Sequence, residues 1–226
     1  WDRREFANLD DSVLLGTRCQ IGRATRRRRV SCVVYVAVVD VAAKIDSTAR
    51  RAGLLDIRMV PERHNAVKVL LFLDIGGSMD DHVRICEELF SAARGEFKHL
   101  EHFYFHNFVY ESVWKDNRRR HTERTPLPEV MRTYGHDYKL VVVGDATMSP
   151  YAIVQPGGSI EHWNEEAGSV WMKRLLANYP RHVWLNPEPT ERWQYTPSVQ
   201  IARELFEERM FPLTLEGLDR AMRELQ

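Results

Sequence analysis

Val67-Lys68-Val69-Leu70-Leu71-Phe72-Leu73-Asp74-Ile75-Gly76-Gly77-Ser78-Met79 runs from a nearly unbroken apolar segment into an acid, two glycines and a hydroxyl. A short run this apolar is what a strand covered on both faces requires. Residues 80–97 follow with Val83, Cys86, Leu89, Phe90 and Ala93 on one helical face. The same alternation recurs downstream. Residues 138–143 and 182–185 are further core strands, with helices over 165–179, 198–209 and 215–225 and a short strand at 210–213. Residues 100–107 and 109–115 almost touch and suggest a tight hairpin. Thr125-Pro126-Leu127-Pro128 opens a short helix reaching Tyr134, and residues 149–159 read as a Pro/Gly-rich loop. Strand–helix alternation of this kind predicts an α/β fold with helices on both faces of a mostly parallel sheet and one antiparallel hairpin edge.

The domain boundary is expected near residue 60. Residues 1–60 carry the run Arg26-Arg27-Arg28-Arg29 and then a β-branched apolar stretch at 30–41, read as a solvated basic turn beside a strand. Residues 45–51 have helical character, and residues 56–60 suit a short strand. The 226 residues hold 32 Lys+Arg and 32 Asp+Glu. That balance speaks against a nucleic-acid binder, and no apolar run is long enough to span a membrane. Opening on Trp1 without a signal-peptide pattern, the sequence reads as a fragment or a processed product. Cys19, Cys32 and Cys86 show no paired spacing, which suits free thiols in a reducing, cytoplasmic compartment.

Two strands end in acids, at Asp74 and, after Gly144, at Asp145. Ligands of open parallel sheets bind beyond the carboxyl ends of the strands. Asp74 and Ser78 in a sharp turn, with Asp145 on a neighbouring strand, offer the hard oxygen donors of a Mg²⁺ site, with Mn²⁺ or Ca²⁺ as alternatives. Asp74 and Ser78 suit a helix cap equally well.

The residues also resemble a family. Asp74-x-Gly76-x-Ser78 after an apolar strand, a later threonine and then Asp145 looks like the metal-ion-dependent adhesion site of the von Willebrand factor A (VWA) fold, which reads D-x-S-x-S, T, D. More narrowly, residues 71–82 (LFLDIGGSMDDH), 103–107 (FYFHN), 113–120 (VWKDNRRR), 162–165 (HWNE), 183–187 (VWLNP) and 212–224 (PLTLEGLDRAMRE) resemble bacterial CoxE-like VWA proteins. The resemblance runs from about Thr48 to Gln226, and residues 19–41 depart from it. It implies a VWA-like three-layer α/β/α sandwich over residues 61–226. It further implies a metal site of Asp74, Ser78, Thr125 (with Thr122 as second choice) and Asp145, and favours the metal over the cap. Gly76 stands where the motif has its first serine, which removes one hydroxyl ligand.

The resemblance implies a non-enzymatic adaptor that binds proteins through the cation. It would work with a MoxR-type AAA ATPase and a client protein in assembly or maturation. Two other expectations are a Mg²⁺-dependent phosphoryl hydrolase using Asp74, and a structural VWA domain with a degenerate site. Among the remaining residues, His82, His102, His106 and His121 read as scattered histidines rather than zinc ligands. Cys86 reads as a small core residue, and Gly157-Gly158-Ser159 as a flexible loop without the context of a phosphate loop. Trp163, Trp171, Trp184 and Trp193 cluster late in the chain. For Trp163 a core position is preferred over a role as partner anchor.

Overall fold

The computed structural model describes residues 33–39 and 59–226. The arginine run, Cys19, Cys32 and the helical expectation at 45–51 lie outside the described residues. Strand β1 (Val33–Val39) falls inside the apolar stretch expected to be extended. It pairs antiparallel with the first part of β2 (Met59–Asp74), in register Val33↔Asn65 through Val39↔Met59.

From residue 69 onward β2 is flanked on both sides by parallel strands. These are β3 (Phe97–Phe105) on one side and β6 (Lys139–Val143) on the other. Strands β7 (His182–Asn186) and β8 (Met210–Pro212) extend the sheet beyond β6. The parallel order is β3-β2-β6-β7-β8. The α/β fold with helices on both faces of a five-stranded parallel sheet agrees with a VWA-like sandwich.

Alternation along β2 explains the near-continuous apolar run. Leu70 and Phe72 face one core with Leu140, Val142 and Trp184. Leu71 and Leu73 face a second with Val141, Val143, Val183 and Leu185. The first core is covered by α2 (Leu127–Thr133), α3 (Pro150–Val154), α4 (Gly168–Asn178) and α6 (Pro197–Leu205) through Val130, Ile153, Leu175 and Ala202. The second is covered by α1 (Val83–Glu96) and α7 (Leu215–Glu224) through Cys86, Phe90 and Ala221. A short helix, α5 (Thr190–Trp193), connects β7 to α6. Among the described residues no helix is long and apolar enough to cross a membrane.

Several boundaries differ from expectation for local reasons. The helix after Asp74 begins with a 3₁₀ segment, Gly77–His82, before α1. The loop expected at 149–159 contains α3, with Pro150 in its first turn and Ala152 and Ile153 buried. Helix α6 stops at Leu205, because Glu207 and Glu208 take positive φ values of 52° and 64° and turn the chain into β8. The return strand of the hairpin is shorter than expected. It meets β3 at a Tyr104–Trp114 bridge, while β4 (Ser112–Val113) pairs instead with β5 (Thr125–Pro126).

Trp163 does not take the expected core position: it is 75% exposed. The loop before it is closed by the fully buried Asn164. The Asn164 side chain accepts from Ser159 N–H and donates to the Glu166 carbonyl, both at 2.8 Å. Its ring instead lies against Gly157, where a Cβ would come within 2.4 Å of it. Trp184, by contrast, is fully buried, stacks on Phe108 and meets Phe206 edge-on. Its indole N–H donates to the Gly144 carbonyl at 2.7 Å. Replacing Trp184 by Phe leaves that buried carbonyl unpaired. Stability should fall by at least the ~1–3 kcal/mol of an unsatisfied buried polar group, read as a lower urea midpoint with unchanged slope.

Candidate metal centre

Strand order places the centre before any side chain is considered. From β2 the chain moves to β3 on one side and later returns to β6 on the other. The carboxyl ends of β2 and β6 thus flank a topological switch point, where open α/β sheets bind ligands. Leu73 pairs with Val143, so Asp74 sits beside Gly144 and one residue from Asp145. Both aspartates are 2% exposed.

The two oxygens of Asp74 differ. Oδ1 accepts from the backbone N–H groups of Gly76 and Asn107, each at 2.8 Å. Oδ2 is buried with no hydrogen-bond partner. A Cβ on Gly144 would lie 3.1 Å from Oδ2 and 2.9 Å from the Asp74 Cβ, so the strand end fits around the carboxylate only with glycine there. Burial, and after it the neighbouring Asp145 charge, push the Asp74 carboxyl up to about 7, against the pull of the backbone N–H donors. Asp145 accepts from Thr147 N–H at 3.1 Å, and its carbonyl accepts from the fully buried Asn186 amide at 2.8 Å.

The expected donors are thus brought together in part. Asp74 and Asp145 stand on adjacent strand ends. Ser78 is exposed in the 3₁₀ segment, which has no side-chain cap at its start. Thr125 is half-buried on β5 and paired with Val113, next to the Trp114 bridge that ties this segment to β3. Neither hydroxyl hydrogen-bonds to an aspartate. Thr122 is exposed and donates to the Arg119 carbonyl at 3.2 Å, which commits it to a local turn.

The fit to a hard divalent cation rests on the unpartnered Oδ2 beside a second buried acid, since two such carboxylates without a counter-charge are costly to bury. Among the described residues no group of three or more His, Cys, Asp or Glu could hold a metal. Any ion would therefore need Ser, Thr, amide or water oxygens to complete its shell. No family model matches the chain, and no curated protein matches it.

The other candidates fall where their chemistry is quiet. Cys86 is buried among apolar residues, and burial pushes its thiol up to about 12. His102 lies edge-on between Phe90 and Tyr104, where burial lowers it to about 4. His82 pairs with Glu188 at 2.9 Å. His106 and His121 each approach Glu161 at 3.8 Å. Asn107, Gly144, Trp184 and Asn186 shape the site and were missed in sequence. Their signal was slight: Asn107 is a turn-forming residue directly after a strand, and Asn186 precedes a proline.

The raised carboxyl has a consequence for stability. Between its ordinary value of 3.8 and about 7, Asp74 stays protonated when folded and ionises when unfolded. The folded state then binds more protons, so this group's contribution falls as pH rises through that window and stays low above it. Asp74→Asn removes the penalty. In chelator it should raise Tm above pH 7 and leave it unchanged below pH 4, with a difference of up to roughly 4 kcal/mol at 1.36 kcal/mol per unit. Equal pH profiles for the two proteins would refute this origin.

Proposed function

We propose that the chain is a non-enzymatic protein-binding module whose contact depends on a divalent cation. Asp74 and Asp145 would hold the ion, with Ser78 and Thr125 as hydroxyl donors. Mg²⁺ is the expected ion, and Mn²⁺ or Ca²⁺ would suit the same oxygens. The supporting observation is the buried, unpartnered Asp74 Oδ2 next to a second buried acid at the switch point of the sheet. A cation there turns the repulsion between the carboxylates into attraction. An aspartate or glutamate from a partner can fill a remaining coordination position. In that role a single carboxylate becomes a specificity contact far stronger than an exposed ion pair.

The exposed Trp163 and Ile160 support a docking role for the adjoining loop. Between them Glu161 approaches His106, the residue before Asn107, so the loop borders the same rim. Large aromatics are frequent anchors of interfaces. The resemblance to CoxE-like proteins extends the reading to a cytoplasmic adaptor that joins a MoxR-type AAA ATPase to a client during assembly or maturation. The balanced charge of the chain gives no support to a nucleic-acid partner.

Calorimetric titration with Mg²⁺ and Mn²⁺ tests the ion: the native chain should bind one, and Asp74→Ala should abolish the heat. No heat from the native chain would leave a structural domain with a degenerate site. Capture of the ATPase should be lost in chelator and in Asp74→Ala. Trp163→Ala should weaken capture while leaving cation affinity intact. Turnover of a phosphate ester that vanishes in Asp74→Asn would instead establish the hydrolase.

A further inference from the structure

Gly76 occupies the motif position at which a serine hydroxyl would be expected. The space its side chain would use is already filled. A Cβ on Gly76 would lie 2.2 Å from Asn107 Oδ1 and 3.3 Å from Asp74 Oδ1. Asn107 arrives from the end of β3 and brings an amide oxygen to where a hydroxyl carried on residue 76 would be. Its backbone is fixed there. Phe108 N–H donates to the His106 carbonyl at 2.6 Å, which folds the chain tightly around Asn107. Asn107 N–H donates to Asp74 Oδ1, and its φ is 59°. Asparagine and glycine adopt that left-handed conformation readily, whereas β-branched and bulky residues do not. The buried Phe105 and Phe108 anchor the turn on either side.

We infer that Asn107 supplies the oxygen donor that Gly76 lacks: its side-chain amide is a ligand of the divalent cation, presented from β3 in place of a serine on the loop after β2. The inference rests on the proposed cation site. A carbonyl-type amide oxygen is a hard, neutral donor of the kind Mg²⁺ and Ca²⁺ accept. Exchanging hydroxyl for amide leaves the charge of the site unchanged. Gly76 is then one half of a matched pair. With a side chain at 76 the amide cannot keep its present place and must swing away from it.

Cation affinity, measured by titration of the full chain with Mg²⁺ and with Mn²⁺, tests the pair without reference to any partner. Asn107→Gly keeps the positive φ and the backbone donor while removing the amide. It should weaken binding about 10- to 100-fold, the range typical for loss of a group that supports a metal. Asn107→Asp adds charge to the same donor position and should tighten binding. The double substitution Gly76→Ser with Asn107→Gly should recover most of the native affinity, because the hydroxyl then has the space the amide vacates. Gly76→Ser alone should weaken binding, because the added side chain displaces the Asn107 amide from its present place.

If the native chain binds neither ion, the cation site and this inference fall together. If it binds and Asn107→Gly binds equally well, the cation site stands and the role of Asn107 is refuted. Should Asn107→Gly fail to fold by circular dichroism, Asn107→Asp decides, and unchanged affinity in that variant overturns the inference.

Discussion

Two buried aspartates one strand apart form the constraint around which the rest of the structure is arranged. A carboxylate with an unpartnered oxygen, facing another acid in a place with almost no solvent, is unfavourable by itself. The surrounding chain relieves the strain on one oxygen only. Gly76 and Asn107 donate to Oδ1, while Oδ2 looks toward the carboxyl end of β6. The glycine at 144 lets the strands approach, and the Trp184 indole fixes that glycine's carbonyl from beneath. A core residue and a site residue are thereby coupled through a single backbone carbonyl.

Such an arrangement suits binding better than stability. Proteins commonly place their least favourable local interactions at functional sites and offset them elsewhere. Here the offset is the two-sided core, in which β2, β6 and β7 are covered on both faces. The rim above it is built from short turns. These are the 3₁₀ segment after Asp74, the tight bend at Asn107, and the loop that carries Ile160 and Trp163. A sheet covered on both faces thus holds the two acids beneath these turns.

Most of the architecture was legible because burial leaves a periodic record. The apolar runs at 67–73, 138–143 and 182–185 each became a strand of the central sheet, and the spacing in residues 80–97 became α1. Legibility ended where a segment's partner lies far away in sequence. Residues 112–113 pair with 125–126 rather than extending a hairpin, and nothing local announces that choice. Trp163 misled because an indole fits a core by composition. Its surroundings are instead decided by Gly157 and by the hydrogen bonds of Asn164.

For the site, the sequence by itself determined which residues could act as hard oxygen donors and that two acids end strands. This follows because residue type and the period-two pattern are local properties. Only the tertiary structure decided that β2 and β6 are neighbours, that Asp74 keeps one oxygen unsatisfied, and that Asn107 fills the space above Gly76. Each of these depends on strand order and on the approach of chains more than thirty residues apart. Local propensity carries no information about such contacts, since the pairing of strands is selected by the whole core at once.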